Sequence, residues 1–187
     1  MNSRLSELDS IRGLAAVTVV IGHFFVIFPS FAQITHGQNN FGWENLFKYS
    51  PLHIFWSGHE AVILFFILSG FVLALPFYLD KPFSYPAYLI KRVCRIYLPY
   101  LCAVIIAFLL KIALYSGSIP YLSSWFNNIW HRDITWDNIL DHLLLIGDFP
   151  NYLYNPVLWS LVHEMRISLI FPFIVLLIKR FLEDTDE

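Results

Sequence analysis

The amino-acid sequence predicts an all-α fold, a polytopic bundle of membrane-spanning helices. Three observations indicate this class: of the 187 residues 57% are hydrophobic, only 14% are charged, and 18 are Phe. An ordinary soluble domain carries about 25% charged residues, so this chain has too little polar surface for a water-soluble fold. The same composition excludes a disordered chain. The formal net charge of −2 excludes a nucleic-acid binder that depends on overall basicity.

Four stretches approach the length of about 20 apolar residues that a helix needs to cross a bilayer. They cover 11–31, 54–79, 96–115 and 156–178. The first stretch is not a cleaved signal peptide, because it starts with polar residues, lacks a small-residue cleavage site and is followed by further spans. A shorter run, Ile139–Ile146, predicts an interfacial or re-entrant helix.

The distribution of basic residues predicts a cytoplasmic N-terminus. In this orientation eight of the 12 Lys and Arg residues lie at the inner side: Arg4, Arg12, Lys81, Lys91, Arg92, Arg95, Lys179 and Arg180. The outer segments are then 32–53 and 116–155, and they contain two basic residues, Lys48 and Arg132. Lys111 is expected to snorkel outward from the third span. The outer segments are rich in Trp, Tyr, Asn and His, which suits an interfacial or sugar-facing surface.

Titratable side chains inside an apolar span are costly to bury, so they are functional candidates. Arg12 and His23 lie 11 residues apart, and this spacing puts both on one face of the first span, about 16 Å apart along its axis. A neutral imidazole at His23 can act as a general base. On spacing alone the alternative is equally good: an interfacial arginine and a structural histidine that hydrogen-bonds to a neighbouring helix.

The fourth span carries a second cluster, which comprises Ser160, His163, Glu164, Arg166 and Ser168. Ser160, Glu164 and Ser168 recur at i,i+4 and share a face. His163 and Arg166 are i,i+3 neighbours on another part of the helix surface, so the helix offers a carboxylate to one neighbour and a cation to another. Hydrogen bonding between helices is the alternative interpretation.

Two further sets of residues are weaker candidates. Lys91, Arg92 and Arg95 begin the third span, where guanidinium groups suit phosphate binding, although positive-inside topology alone explains them. A serine nucleophile at Ser69 is conceivable, but packing of the small pair Ser69-Gly70 is favoured because no Gly-x-Ser-x-Gly elbow surrounds it. Two cysteines without paired Cys or His at metal-ligand spacing predict no metal site.

Four motifs, taken in order, resemble the integral-membrane acyltransferase 3 family. They are Leu8-Asp9-Ser10-Ile11-Arg12-Gly13-Leu14-Ala15 followed by His23, Leu64-Phe65-Phe66-Ile67-Leu68-Ser69-Gly70-Phe71, Lys91-Arg92-Val93-Cys94-Arg95-Ile96 with Pro99, and Leu158-Trp159-Ser160-Leu161 followed by Glu164 and Pro172. Each motif is weak alone, but four in this order are specific. Because family members are longer and have more spans, residues 1–187 resemble the N-terminal half of the domain, and the missing C-terminal half is an expected partner.

The resemblance implies an enzyme of the bacterial inner (plasma) membrane that transfers an acyl group, usually acetyl, from cytoplasmic acyl-CoA. The acceptor is a hydroxyl of a surface glycan or another molecule, and acetyl-CoA is a substrate rather than a permanently bound cofactor. Arg12, Arg92 and Arg95 would hold the CoA phosphates. His23 would deprotonate the acceptor or carry the acyl group, and Glu164 would orient the imidazole.

Two alternatives to an active acyltransferase stay open. One is a proton-coupled transporter or flippase component, because intramembrane His, Glu and Arg also build proton relays. Transporters often show internal repeats, and this sequence has no recognisable repeat. The other alternative is an inactive, truncated fragment, whose polar faces would lack their partners.

Overall fold

A computed structural model describes residues 6–35, 46, 49–145, 149–152 and 154–185. Over these ranges the regular structure is helical, without a β-strand. Four helices are long and apolar enough to cross a membrane: Glu7–Val26, Gly58–Tyr78, Tyr85–Leu114 and Leu158–Leu182. The predicted all-α fold with four long helices and shorter ones is therefore confirmed.

The described part of the chain contains eight α-helices. They are α1 (Ser6–Val26), α2 (Pro29–Thr35), α3 (Gly58–Tyr78), α4 (Tyr85–Arg92), α5 (Leu98–Leu114), α6 (Ser124–Asn128), α7 (Trp136–Leu144) and α8 (Leu158–Thr185). A 3-10 turn, Pro51–Phe55, precedes α3. A π-helical turn, Val93–Tyr97, joins α4 to α5 and makes Tyr85–Leu114 one continuous span.

The first span begins and ends earlier than the hydropathy indicated. α1 starts at Ser6. The carboxylates of Glu7 and Asp9 in its first turn interact favourably with the positive end of the helix dipole and so stabilise this start. It ends at Val26, and a second short helix begins at Pro29. Proline has no N–H to give to a preceding turn, so it suits the start of a new helix and not the continuation of an old one.

The other elements differ at their ends for similar local reasons. The third span begins at Tyr85, so the basic cluster predicted at its start lies inside the helical run. The predicted interfacial helix is α7, which Thr135 caps by accepting a hydrogen bond from the Asn138 amide at 3.3 Å. It ends where Leu145 adopts a left-handed conformation with φ of 55°, and Ile146 lies outside the described residues.

The chain forms two compact units. The first comprises residues 1–68 and 117–128, and the second comprises 69–116 and 129–187. The buried core of the first unit is small and consists of Ala15, Val19 and Ala61, with Val62, Leu64 and Phe65 packed around it. The short side chains allow α1 and the first half of α3 to approach closely.

The core of the second unit is larger and partly aromatic. Its buried members are Ile96, Tyr100, Val104, Leu145, Phe149, Leu158, Val162 and Met165. They belong to the π-helical turn, α5, the segment that follows α7, and α8. Packing of these elements fixes the rotation of α8 about its axis, and with it the direction of the polar residues that α8 carries.

Candidate functional site

His23 lies near the C-terminal end of α1, and its ring orientation is set by its own helix. Its Nδ1 atom lies 2.8 Å from the carbonyl oxygen of Val19. A carbonyl oxygen only accepts hydrogen bonds, so Nδ1 carries the proton and donates it. In the neutral ring the lone pair therefore resides on Nε2. This tautomer makes Nε2 the atom that can take a proton from a substrate.

The surroundings of His23 are aromatic and closely packed. The imidazole and the indole of Trp125 have ring centroids 5.9 Å apart, at 56° to one another. On the preceding residue, Gly22, a Cβ atom would lie only 2.7 Å from the carbonyl oxygen of Trp56. The backbone at Trp56, just before α3, can approach α1 this closely only because Gly22 has no side chain.

Arg12 lies on the same helix as His23, nearer its N-terminal end. Its guanidinium lies 3.6 Å from the carboxylate of Asp9, one turn earlier. A half-exposed pair of this kind contributes little to stability. Arg12, which helix spacing places on the same face as His23, is therefore a cation with only a weak ion-pair partner in Asp9.

Glu164 belongs to the second unit, on α8. The hydroxyl of Ser69 on α3 donates a hydrogen bond to Glu164 Oε1 at 3.1 Å. Ser69 is thus a hydrogen-bond donor to a carboxylate, in addition to the packing role that the sequence favoured. A Cβ atom at Gly70 would lie 3.9 Å from the ring of Phe171, an ordinary van der Waals contact, so the small-residue packing role of Gly70 stays a prediction.

The other polar residues of α8 make different contacts from Glu164. Ser160 donates to the carbonyl of Val157 at 3.1 Å, within its own chain segment. His163 is exposed and its ring lies edge-on to that of Trp159. Helix geometry puts Ser160 and Glu164 on one face, as predicted. The hydroxyl of Ser160, however, donates its hydrogen bond to the carbonyl of Val157.

Arg166 ties α8 to the end of α7. Its Nε donates to the carbonyl of Leu145 at 2.7 Å, and its guanidinium lies 5.8 Å from the ring centroid of Phe149. Leu145 is the left-handed residue that ends α7, where carbonyls lack helical partners. The predicted cation on a separate part of α8 therefore has a clear structural function.

The two arginines of the third span have different environments. Arg92 is buried, and its guanidinium lies 5.5 Å from the ring centroid of Tyr88. Arg95 is exposed. Arg95 lies within the π-helical turn, whereas Arg92 is the last residue of α4.

A buried polar cluster in the second unit was not predicted. His142 on α7 is 2% exposed, and its Nδ1 lies 2.6 Å from the hydroxyl of Tyr100. Rings of Phe108, Phe149 and Tyr154 surround it. Burial lowers the pKa of His142 below its usual value of 6.5, against a smaller opposite effect of Asp141. No motif in the sequence marks this residue.

Lys111 contacts the segment 116–155, which the sequence assigns to the outer side. It is buried near the end of α5, and its ammonium group donates to the carbonyl of Arg132. The ring of Tyr154 lies 5.4 Å from the same nitrogen. The side chain is therefore held within the second unit, and its snorkelling toward the outer interface stays a prediction.

His23 and Glu164 belong to different units, and their predicted pairing stays a prediction. The Nδ1 side of His23 already has a partner in Val19. The binding of CoA phosphates by Arg12, Arg92 and Arg95 also stays a prediction.

Comparison with known proteins gives two results. A family profile described as "Acyltransferase domain", of the acyltransferase 3 type, matches residues 5–184. Acyltransferase MdmB of Streptomyces mycarofaciens is 29% identical over 182 residues, which are 95% of this chain and 41% of that protein. The chain thus spans less than half the length of this curated relative. No solved structure matches.

Proposed function

The chain belongs to the acyltransferase 3 family, and from this premise we propose that it provides the catalytic base of a membrane acyltransferase that uses acyl-CoA. The four long apolar helices indicate an integral membrane protein. The observation that carries the proposal is the Nδ1 hydrogen bond from His23 to Val19, which leaves Nε2 as the basic atom. The donor, the acceptor and the membrane orientation are parts of this proposal.

In the proposed reaction, Nε2 of His23 takes the proton of an acceptor hydroxyl as its oxygen attacks the thioester carbonyl. A new C–O bond forms, the C–S bond breaks, and the proton passes from the imidazolium to the departing CoA thiolate. A two-step route gives the same products: Nε2 first attacks the thioester carbonyl and CoA leaves as a thiolate. The acceptor hydroxyl then attacks the acyl-imidazole, the C–N bond breaks, and the hydroxyl proton passes through the freed Nε2 to the thiolate. Both routes need an unprotonated Nε2 that faces the substrate.

We assign binding of the acyl-CoA to the arginines at the N-terminal end of α1 and in the third span. CoA carries phosphates, and guanidinium groups bind phosphate oxygens through paired hydrogen bonds. Arg12 and His23 lie about 16 Å apart along one helix, a length that an extended pantetheine arm can follow. Of the other two, exposed Arg95 is available for a ligand, while buried Arg92 is pre-positioned over Tyr88.

Glu164 has a charge-stabilising role in this proposal. A carboxylate in an apolar span is expensive to bury, and the donor from Ser69 uses only one of its lone pairs. A negative charge stabilises an imidazolium during proton transfer, as a carboxylate does in hydrolase triads. We further propose that the N-terminus is cytoplasmic, in a bacterial inner membrane, with O-acetylation of a surface polysaccharide as the product.

A radiolabel assay tests the proposal. Membranes that contain the complete gene product are supplied with radiolabelled acetyl-CoA and a cell-envelope glycan fraction, and label in the glycan is counted. His23→Ala should lower the rate by about 10²- to 10⁴-fold, the usual contribution of a general base. His59→Ala is a control, because His59 is an exposed histidine of α3. Wild-type transfer by His23→Ala, at equal protein level in the membrane, would overturn the mechanism.

A further inference from the structure

The segment 117–128 belongs to the first unit and is attached to the end of α1. Ser123 is 2% exposed, and its hydroxyl donates to the carbonyl of Val26 at 2.7 Å. Its backbone N–H donates to the carbonyl of Ile27 at 2.9 Å. Carbonyls at the end of a helix lack intrahelical donors, so these two bonds fasten the segment one helical turn beyond His23.

The same segment is braced internally. The side chain of Asn127 accepts from the Ile119 N–H at 2.8 Å and donates to the Ile119 carbonyl at 3.0 Å. It also donates to the carbonyl of Leu122 at 3.2 Å. The amide thus closes the loop that leads into α6 and holds its backbone in one conformation.

This braced loop presents Trp125 to the imidazole of His23. The two ring centroids are 5.9 Å apart and tilted by 56°, and the indole is only half-buried. The exposed part of the indole therefore offers apolar ring surface beside the imidazole of His23. An aromatic face of this kind binds rigid rings with C–H groups on one side through burial and weak C–H contacts.

We infer that Trp125 is the platform on which a sugar ring of the proposed glycan acceptor stacks. A pyranose has an apolar face of C–H groups and hydroxyls at its edge. Stacked on the indole, such a ring directs an edge hydroxyl toward Nε2 of His23. The inference rests on the proposed function and deepens it, because it names the residue that binds the acceptor.

Steady-state kinetics test the platform. With radiolabelled acetyl-CoA and the cell-envelope glycan fraction, Trp125→Ala should raise the apparent KM for glycan about 3- to 10-fold, the size of a lost aromatic contact. The KM for acetyl-CoA should stay unchanged. Trp125→Phe retains an aromatic face and should recover most of the glycan affinity. Tyr121→Ala is the matched control, since Tyr121 is an aromatic residue of the same loop that is 87% exposed.

The outcomes distinguish acceptor binding by Trp125 from catalysis by His23. A fall in kcat with an unchanged glycan KM would overturn the inference, since Trp125 would then only orient the imidazole. Wild-type kinetics for both Trp125→Ala and Trp125→Phe would overturn it as well, while His23→Ala in the same assay reports on the proposed function. If Trp125→Ala does not accumulate in membranes, the glycan KM of Trp125→Phe decides: equal KM values for Phe and for a Leu substitution would exclude aromatic stacking.

Discussion

His23 in the first unit and Glu164 in the second are held in different ways. The imidazole donates to the carbonyl of Val19, four residues earlier in the same helix. The carboxylate accepts from Ser69, which is 95 residues away in the sequence and lies on a different helix. The orientation of His23 is therefore set when α1 forms, whereas that of Glu164 requires α3 and α8 to pack in the correct register.

The packing around the two residues also differs between the two units. The first unit brings backbones together through small residues, with Gly22 beside His23 against the carbonyl of Trp56. The second unit relies on long polar side chains in an aromatic core, such as the pair of His142 and Tyr100. Added volume should thus destabilise the first unit most, whereas the loss of a hydrogen-bond partner should destabilise the second unit most.

After the loss of His23 itself, the largest expected effect follows from the role proposed for the charge of Glu164. Glu164→Gln should slow acyl transfer by about 10- to 1000-fold, which corresponds to the 1–3 pKa units that an opposite charge contributes to an ionised partner. The thermal unfolding temperature should hardly change, because the amide oxygen still accepts from Ser69. Initial rates and thermal unfolding in detergent measure both quantities.

Ser69→Ala sharpens this test of the second unit. It keeps the charge but removes one hydrogen bond to a carboxylate, a loss of about 1.5–3 kcal/mol of stability. Ser160→Ala, which removes a bond within one chain segment, should be milder. Full activity of Glu164→Gln would limit Glu164 to a structural role and leave His23 as the sole catalytic group of the two.

The second prediction contrasts two glycines of α1. Gly22→Ala places a methyl group against the backbone of Trp56, so it should destabilise the protein by about 1–3 kcal/mol, as overpacking does. Gly13 has no atom within 4 Å of its Cβ position. Gly13→Ala should therefore stabilise α1 by up to about 1 kcal/mol through helix propensity. Thermal unfolding in detergent that shifts in the same direction for both variants would contradict this account.

The smallest effect is the pH dependence that His142 imposes. Its pKa in the folded chain lies below 6.5 because it is buried. As the pH falls below about 6.5, the unfolded chain takes up a proton that the folded chain does not. Stability should decrease by at most about 1.4 kcal/mol per pH unit in that range, down to the folded-state pKa.

Unfolding temperatures at pH 7.5 and 5.5 measure this effect of His142. His142→Gln should flatten the difference, whereas His131→Gln, at an exposed position, should leave it as in the wild type. If the two variants show equal slopes, a different group controls the acid sensitivity of the second unit.

Much of the fold was predictable because its determinants are local. Apolar runs and the 3.6-residue period depend only on neighbouring residues, so they predicted four long helices and a common face for Arg12 and His23. The ends were less accurate, since Pro29 starts a new helix and the π-helical turn extends the third span. Four ordered motifs were enough to identify the acyltransferase 3 family, which the profile match confirms.

The amino-acid order was sufficient to predict the long helices, the family and the residue types that can do chemistry. Helix packing was needed to show that Ser69 donates to Glu164, that Arg92 is buried while Arg95 is exposed, and that Trp125 faces His23. Such contacts depend on how each helix is rotated and where each loop folds back. Those variables are set by the packing of residues distant in sequence, and no local pattern records them.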